Sequence, residues 1–280
     1  MGALKRERLA TGFLRLLPDF LIIGAAKSGT TSLYRYLVQH PRIRRARRKE
    51  IRFFYREYAQ GENWYRAHFP LALRRHWETL RYGEFATGEA SPSYLYYPHA
   101  AERAHALVPA AKLIAILRNP VDRAYSQYRH KVRKGIEPLS FEQALEAEPE
   151  RTHGERERLL ADEGYRGAPL FHFGYLHRGL YAEQLERWLA HYPRERLLVV
   201  RAEDLFTDPA AVIRTTTEFL GLAPRDPHEF IRQFERHNAD HPDSDGIAPA
   251  TRARLQEHFA AANQKLYALV GRDFGWEQAG

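Results

Sequence analysis

The chain has 280 residues, of which 44% are hydrophobic and 12% aromatic, so it can build a sizeable buried core. Lys and Arg outnumber Asp and Glu by 43 to 35, for a formal net charge of +8, and this balance favours an anionic ligand such as a nucleotide, a nucleic acid, an acidic polysaccharide or a membrane surface. The absence of cysteine excludes disulfides, thiolate chemistry and metal sites built on sulfur.

We expect the first 18 residues to form an N-terminal extension without a membrane span or an export signal. Their apolar stretch is interrupted at Pro18 and Asp19, so it is too short to cross a bilayer. No small-residue cleavage site follows a clean apolar region. We therefore expect a cytoplasmic protein without a membrane span, in which residues 1–280 form a single domain.

Apolar runs and amphipathic patterns alternate along the chain, which predicts an α/β fold with a parallel sheet covered by helices on both faces. Strands are predicted at Phe20–Ile23, Ala86–Glu89, Lys112–Leu117 and Arg196–Val200. Polar composition predicts loops at Ala147–Gly167 and Asp240–Ala248. Helices are predicted at Thr31–His40, Val121–Lys134, Phe141–Glu146, Tyr181–His191, Pro209–Leu220 and Pro249–Val270, with Gly271 as the last C-cap.

The junction between the first strand and the first helix is the first candidate binding motif. The strand ends in a glycine-rich turn at residues 24–29, and three hydroxyl residues, 30–32, open the helix. Such a junction points backbone N–H groups and the positive end of the helix dipole at one spot, which suits a phosphate. Thr30 stands where a nucleoside-triphosphate loop has its lysine, and Lys27 lies inside the turn instead. We therefore predict a loop that binds a short anionic group without a metal ion.

A second strand-to-helix junction has the chemistry of a second phosphate site. Arg118 follows the strand Lys112–Leu117, at the end where ligands bind in open α/β sheets. Asn119 is placed to cap the next helix, and Ser126 lies two turns along it. A guanidinium and a hydroxyl can hold a terminal phosphate, whereas helix capping or ion pairing is the plainer alternative for Arg118. Together, the two junctions predict a nucleotide that carries phosphates at both ends of its ribose.

Both motifs resemble those of one enzyme family. Gly24–Ser32 resembles the 5′-phosphosulfate loop of sulfotransferases that use 3′-phosphoadenosine 5′-phosphosulfate (PAPS), and Leu117–Ser126 resembles their 3′-phosphate motif. Lys49–Phe54 is similar to a segment of the heparan sulfate sulfotransferase branch. The resemblance implies a P-loop NTPase-like three-layer sandwich, PAPS as donor, adenosine 3′,5′-bisphosphate (PAP) as product, and no metal. It implies that the donor binds to Lys27, Ser28, Gly29, Thr30, Thr31, Ser32, Arg118 and Ser126.

The resemblance also implies catalytic roles for two residues. Lys27 would stabilise the charge that builds on the leaving 5′-phosphate, and Glu50 would be the general base that takes the acceptor's proton. The flanking residues Lys49 and Arg52 support this role, because they would keep Glu50 ionised. The alternative is a surface glutamate in a charged run. Other candidate bases are Glu89, His68, His172 and His177.

Two positions depart from the heparan sulfate branch. Ala90 stands where a lysine usually follows the glutamate that aligns with Glu89, and Arg52 stands where some members have histidine. Donor binding should survive both changes, but they leave the identity of the acceptor open. The basic run Arg42–Lys49 has three interpretations: a nucleic-acid patch, a groove for an acidic glycan beside Glu50, or a solvated basic face.

These observations predict a PAPS-dependent sulfotransferase that transfers a sulfuryl group to a hydroxyl or an amine of a carbohydrate or small-molecule acceptor, with no nucleic-acid partner. One alternative is a P-loop small-molecule kinase, which would bind ATP with Mg²⁺. The other is a basic nucleic-acid-binding protein centred on Arg42–Lys49, which would bind with a steep salt dependence. Neither alternative explains Arg118 and Ser126 together with the first loop.

Overall fold

One five-stranded sheet organises the structure, a computed structural model that describes residues 6–162, 164–235 and 246–277. Its strand order is β2–β3–β1–β4–β5, and each neighbouring pair is parallel. The carboxyl ends of all five strands therefore meet at one edge of the sheet. The strands are β1 (Phe20–Gly24), β2 (Ile43–Arg45), β3 (Ala86–Ala90), β4 (Lys112–Leu117) and β5 (Leu197–Arg201).

Helices connect these strands and cover the sheet. The helices are α1 (Arg6–Ala10), α2 (Thr30–Leu37), α3 (Glu62–Arg66), α4 (Ala72–Tyr82), α5 (Ala100–Leu107), α6 (Pro120–Arg133), α7 (Phe141–Arg151), α8 (Glu155–Ala161), α9 (Ala168–Phe173), α10 (Tyr181–Leu189), α11 (Ala202–Thr207), α12 (Pro209–Leu220) and α13 (Pro249–Val270). None of the helices in the described ranges combines the length and the hydropathy that a membrane span needs.

Alternate residues of each central strand pack into two different cores, one on either face of the sheet. On β4, Leu113 and Ala115 belong to one core, whereas Ile114 and Ile116 belong to the other, as the two-residue period of a strand requires. Residues of α5, α10 and α13 complete the first core, and residues of α2 and α12 complete the second. The predicted α/β fold with a helix layer on each side of a parallel sheet is confirmed.

Most predicted elements are found close to their predicted bounds. The four predicted strands agree with the observed ones to within one residue at each end. Helices α12 and α13 have the predicted bounds, and Gly271 adopts the left-handed conformation of a C-cap, with φ of +70°. Helices α2, α6 and α10 end one to three residues earlier than predicted. Strand β2 was not predicted, because its three residues lie within the basic run.

The predicted loop at Ala147–Gly167 is wrong. Helix α7 continues to Arg151, and α8 follows at Glu155–Ala161. The many charged residues of this segment led to the prediction of a loop. The segment instead continues a helix with one buried face, formed by Phe141, Leu145 and Glu148 at helical spacing. The other predicted loop, Asp240–Ala248, lies outside the described residues except for residues 246–248, which are not helical.

Candidate active site

A cleft of about 620 Å³ lies at the carboxyl edge of the sheet, where β1, β3 and β4 end. Its walls are the turn after β1, the segment that contains Glu50, the residues after β3 and one face of α6. The predicted catalytic and phosphate-binding residues Lys27, Glu50, Arg118 and Ser126 all line this cleft. The two motifs, which are distant in sequence, therefore meet at a single site.

The predicted donor-binding residues divide into two groups. Six of the eight line the cleft, whereas Ser28 and Ser32 are buried, with exposed fractions of 0% and 2%. Ser32 is the third residue of α2, and its side chain is a hydrogen-bond partner of Tyr36 in the same helix. The six that line the cleft are Lys27, Gly29, Thr30, Thr31, Arg118 and Ser126.

The turn after β1 has a backbone shape that glycine makes possible. Gly29 has φ of +92°, in the left-handed region, and immediately precedes the first residue of α2. A β-carbon at this position would also lie 3.0 Å from the ring of Phe206. Lys27 adopts φ of +71°, and the N-terminal residues of α2, Thr30 and Thr31, face the cleft. The turn thus brings an ammonium group and a helix N-terminus to the same place, which is the geometry of an anion site.

Arg118 joins the second motif to the first. Its Nη1 lies 3.5 Å from the carbonyl oxygen of Lys27, and its guanidinium carbon lies 6.0 Å from the centre of the Phe206 ring. The side chain of Asn119 accepts a hydrogen bond from the N–H of Val121 at 3.0 Å, so the predicted cap of α6 is confirmed. This cap fixes the start of the helix that carries Ser126 into the cleft.

Glu50 enters the cleft between two cations. Its Oε1 accepts a hydrogen bond from Lys49 Nζ at 3.1 Å, and its Oε2 accepts one from Arg52 Nη2 at 2.7 Å. Burial raises the pKa of Glu50, but Lys49 and Arg52 together lower it by more, so the net pKa lies below its ordinary value. Glu50 is therefore ionised at neutral pH. Both Glu50 and Arg52 have positive φ, at +59° and +65°, which is uncommon for residues other than glycine and is often found at functional sites.

Glu89, the second candidate base, is fully buried and binds other protein groups. Its Oε1 accepts hydrogen bonds from the hydroxyls of Tyr65 and Tyr94 at 2.9 and 2.7 Å, and its Oε2 accepts one from Ser91 at 2.7 Å. Burial raises its pKa, and these hydrogen bonds oppose that rise. Both carboxylate oxygens of Glu89 accept hydrogen bonds from the protein, and its exposed fraction is 0%. Glu89 therefore stabilises the buried structure and is not accessible to a sulfuryl acceptor.

The groups that bind Glu89 also hold the backbone beside Glu50. The hydroxyl of Tyr94 accepts a hydrogen bond from the N–H of Phe53 at 2.9 Å, and the hydroxyl of Ser91 accepts one from the N–H of Arg52 at 3.0 Å. The N–H of Glu50 itself donates to the carbonyl of Ala90, at the end of β3, at 2.9 Å. The position of Glu50 is therefore fixed from the sheet through a buried hydrogen-bond network.

None of the three histidines that were weaker candidate bases lines the cleft. His68 is buried, and burial followed by nearby arginines lowers its pKa to about 3. His177 lines a separate cavity of about 60 Å³. The Nδ1 of His172 lies 2.9 Å from Lys131 Nζ, so it accepts a hydrogen bond from this ammonium group.

Several basic residues of the cleft were not predicted. His130, Lys131 and Arg133 of α6 and its C-cap Lys134 follow Ser126 and line the cleft. His130 and Arg133, four and seven residues after Ser126, share its face of the helix, so a helical projection from Ser126 would have indicated these two. Arg178 reaches the cleft from the turn before α10, and no local pattern indicates its position. Among the described residues that line the cleft, Glu50 is the only carboxylate.

The basic run Arg42–Lys49 is divided between the sheet and the cleft. Part of it forms the edge strand β2, from which Arg44 pairs with Glu78 of α4 at 2.8 Å. Lys49 lines the cleft beside Glu50. The members of the run therefore contact different parts of the structure. Within the described ranges, no group of three or more His, Cys, Asp or Glu is arranged to hold a metal ion.

Comparison with known proteins identifies the family. The sulfotransferase domain matches residues 17–242, which is more than half of the chain. The chain belongs to the sulfotransferase family. The predicted family and enzyme class are therefore confirmed, and neither the kinase nor the nucleic-acid alternative is favoured.

Relatives of this sulfotransferase cover nearly all of the described fold. The chain is 33% identical to heparan sulfate glucosamine 3-O-sulfotransferase 3B1 of Mus musculus, over 93% of the chain and 65% of that protein. It is 30% identical to the membrane-associated sulfotransferase kil1 of Dictyostelium discoideum, over 95% of the chain and 68% of that protein, so it spans about two thirds of both relatives. The crystal structure of a sulfotransferase from Alicyclobacillus acidocaldarius is 36% identical, with a TM-score of 0.69, and the match covers 94% of this chain and 99% of that one.

Proposed function

We propose that this sulfotransferase takes its sulfuryl group from PAPS and transfers it to a hydroxyl or an amine of a carbohydrate or small-molecule acceptor. The observation that carries the proposal is the meeting of Lys27 and Arg118 in one cationic cleft, with Arg118 Nη1 3.5 Å from the Lys27 carbonyl oxygen. A nucleotide that is anionic at both ends of its ribose needs two such cations at the same edge of the sheet.

The residues of the cleft fit this donor. Lys27 and the N-terminal residues of α2 would hold the 5′-phosphosulfate, whereas Arg118 and the Ser126 hydroxyl would hold the 3′-phosphate. PAPS supplies the sulfuryl group and, with its 5′-phosphate, the leaving group. Lys27 is placed to stabilise the negative charge that builds on that phosphate as the sulfuryl group departs.

Glu50 supplies the base in this proposal. Its carboxylate is ionised at neutral pH, because Lys49 and Arg52 outweigh the effect of burial on its pKa. The proton of an acceptor hydroxyl becomes acidic only as its oxygen bonds to sulfur, and at that point a weak, ionised base suffices to remove it. The relative that transfers to the 3-O position of a heparan sulfate glucosamine favours a carbohydrate hydroxyl as the acceptor.

Lys27→Ala tests the proposed function. We expect wild-type protein to bind PAP in the presence of EDTA, measured by titration calorimetry, and to sulfate an acceptor from PAPS. Removal of one group that stabilises the leaving charge should lower kcat by roughly 100- to 1,000-fold. Lys265→Ala is the matched control, because Lys265 pairs with Glu186 on the exposed surface at 3.0 Å.

Two results would contradict the proposal. One is a wild-type protein that binds no PAP at millimolar concentration. The other is normal turnover by the Lys27→Ala protein, which would remove Lys27 from the chemical step.

A further inference from the structure

Arg178 places a buried guanidinium in the cleft with one of its nitrogens unsatisfied. The residue is 4% exposed and lines the cleft. Its Nη2 donates to Ser93 Oγ at 3.3 Å, and its guanidinium carbon lies 4.9 Å from the centre of the Tyr96 ring. Within the described ranges, Nη1 is buried without a hydrogen-bond partner. A buried cation with an open donor is unfavourable unless an anion completes it.

A second buried cation lies beside Arg178. Lys131 of α6 is also 4% exposed, and its Nζ lies 2.9 Å from His172 Nδ1. The ring of Phe171 is shared by the two cations, at 4.3 Å from Lys131 and 5.8 Å from Arg178. Burial, and then the charge of Arg178, lower the pKa of Lys131 to about 8. Like charges this close are favourable only when an anion lies between or beside them.

Ser93 and Tyr55 connect Arg178 with the surroundings of Glu50. Ser93, which accepts from Arg178, follows β3 and is also the hydrogen-bond partner of Tyr55. Burial raises the pKa of Tyr55, and the charges of Glu50 and Arg178 both act on it. One tyrosine side chain therefore lies within electrostatic range of the candidate base and of the unsatisfied guanidinium.

We propose that Arg178, Lys131 and Ser93 form a subsite for an anionic group of the acceptor, a carboxylate or a sulfate, beside the position that reacts at Glu50. The inference rests on the proposed function and deepens it, since it names the acceptor as an acidic saccharide. An arginine fork presents two parallel donors to an oxyanion, and Nη1 supplies the donor that the protein leaves open. The lysine provides a second positive charge, and the serine hydroxyl fixes the plane of the fork.

Substitutions at Arg178 separate its charge from its packing. Arg178→Met removes the charge but keeps an apolar stem against Tyr96, and Arg178→Lys restores a cation without the fork. Arg187→Met is the matched control, because Arg187 is partly buried and donates to the carbonyl of Tyr96 at 3.1 Å from outside the cleft. Urea unfolding confirms that each variant is folded before binding is measured.

Binding is measured by titration calorimetry, first of PAP to each protein and then of oligosaccharides to the PAP-loaded protein. A heparosan oligosaccharide carries carboxylates only, an N-sulfated and carboxyl-reduced form carries sulfates only, and an N-acetylchitooligosaccharide is neutral. We expect Arg178→Met to weaken binding of one acidic oligosaccharide by roughly 10- to 100-fold, the loss of a charge-assisted hydrogen bond. PAP affinity should be unchanged, Arg178→Lys should recover part of the loss, and Arg187→Met should bind as wild type does.

The outcomes are distinguishable. The acidic oligosaccharide that responds identifies the anion as carboxylate or sulfate. The inference is overturned if wild-type protein binds neither acidic oligosaccharide, if Arg178→Met binds both as wild type does, or if its PAP affinity falls as much as its acceptor affinity, which would assign Arg178 to the donor. A wild-type protein that fails to bind PAP would instead refute the proposed function on which the inference rests.

Discussion

The buried hydrogen-bond network around Glu89 is expected to position Glu50, and this expectation can be tested by substitution. Tyr94 is fully buried, donates to Glu89 Oε1 at 2.7 Å and accepts from the N–H of Phe53 at 2.9 Å. Tyr94→Phe removes one hydroxyl and both of these hydrogen bonds while leaving the ring in place. We therefore expect it to weaken the fold and also to release the backbone segment that carries Glu50.

The size of the effect follows from the two bonds. An orphaned buried N–H at Phe53 and the lost hydrogen bond to a buried carboxyl group together should cost about 2–4 kcal/mol of the free energy of unfolding. Tyr192→Phe is the matched control, since Tyr192 is equally buried and donates only to the carbonyl of Val108, at 3.1 Å. That carbonyl keeps a second hydrogen bond from Ala111 at 2.9 Å, so the control should cost about 1 kcal/mol.

Equilibrium urea unfolding measures both costs, and steady-state kinetics and PAP titration follow on the folded variants. Tyr94→Phe should lower kcat by roughly tenfold or more, because a displaced base loses its reactive alignment, while PAP affinity stays unchanged. Tyr192→Phe should alter neither quantity. Equal destabilisation by the two substitutions would refute the view that Tyr94→Phe loses two hydrogen bonds where Tyr192→Phe loses one. A destabilised Tyr94→Phe enzyme with normal kcat would show that the network supports the fold without positioning Glu50.

Two other predictions concern single carboxylates. Glu50→Gln should lower kcat by roughly 100- to 10,000-fold without changing PAP affinity. Because Lys49 and Arg52 hold the pKa of Glu50 below its ordinary value in the free enzyme, wild-type kcat/KM, which reports the free enzyme, should fall only as pH drops through that lower value; an acidic limb of kcat/KM above about pH 5 would contradict this assignment. Burial raises the pKa of Glu148 to about 7, so the stability this group contributes is present below its unfolded pKa of about 4.5 and is lost as pH rises through 7. Relative to Glu148→Gln, wild type should therefore lose about 3 kcal/mol between pH 4.5 and 8 in urea unfolding, and parallel profiles for the two proteins would refute it.

Local sequence was sufficient to predict the two strand-to-helix junctions that carry the candidate phosphate motifs. A buried strand, a glycine that must adopt positive φ at position 29 and a helix with an Asn119 cap are each encoded within a few residues. The parallel order of the strands then brings Lys27 and Arg118 to one edge, since carboxyl ends of parallel strands share an edge. The prediction of a common site for these two residues therefore required no knowledge of side-chain packing.

Packing decided what the sequence could not. Glu89 is next to the last residue of β3, where a catalytic carboxylate is often found, yet the hydroxyls of Tyr65 of α3 and Tyr94 of the following segment bind it in the buried interior. Arg178 enters the cleft because the turn before α10 folds back over the residues after β3. The contact between Tyr65 and Glu89 joins residues 24 positions apart, and the contact between Arg178 and Ser93 joins residues 85 positions apart. A local sequence pattern does not indicate contacts at such separations.

The charges of the cleft bear on how Glu50 would serve as the base in the proposed reaction. Burial is the main cause that lowers the pKa of His130 to about 4, and nearby cations, of which Lys27 acts most strongly, lower it further. Different cations, Lys49 and Arg52, lower the pKa of Glu50 and make it a weak proton acceptor. A donor at Lys27 and an acidic acceptor at Arg178 would bring negative charge near Glu50 and raise its pKa. In the proposed mechanism, Glu50 would therefore gain basicity as both substrates bind, so proton removal would be favoured only when the reacting groups are in place.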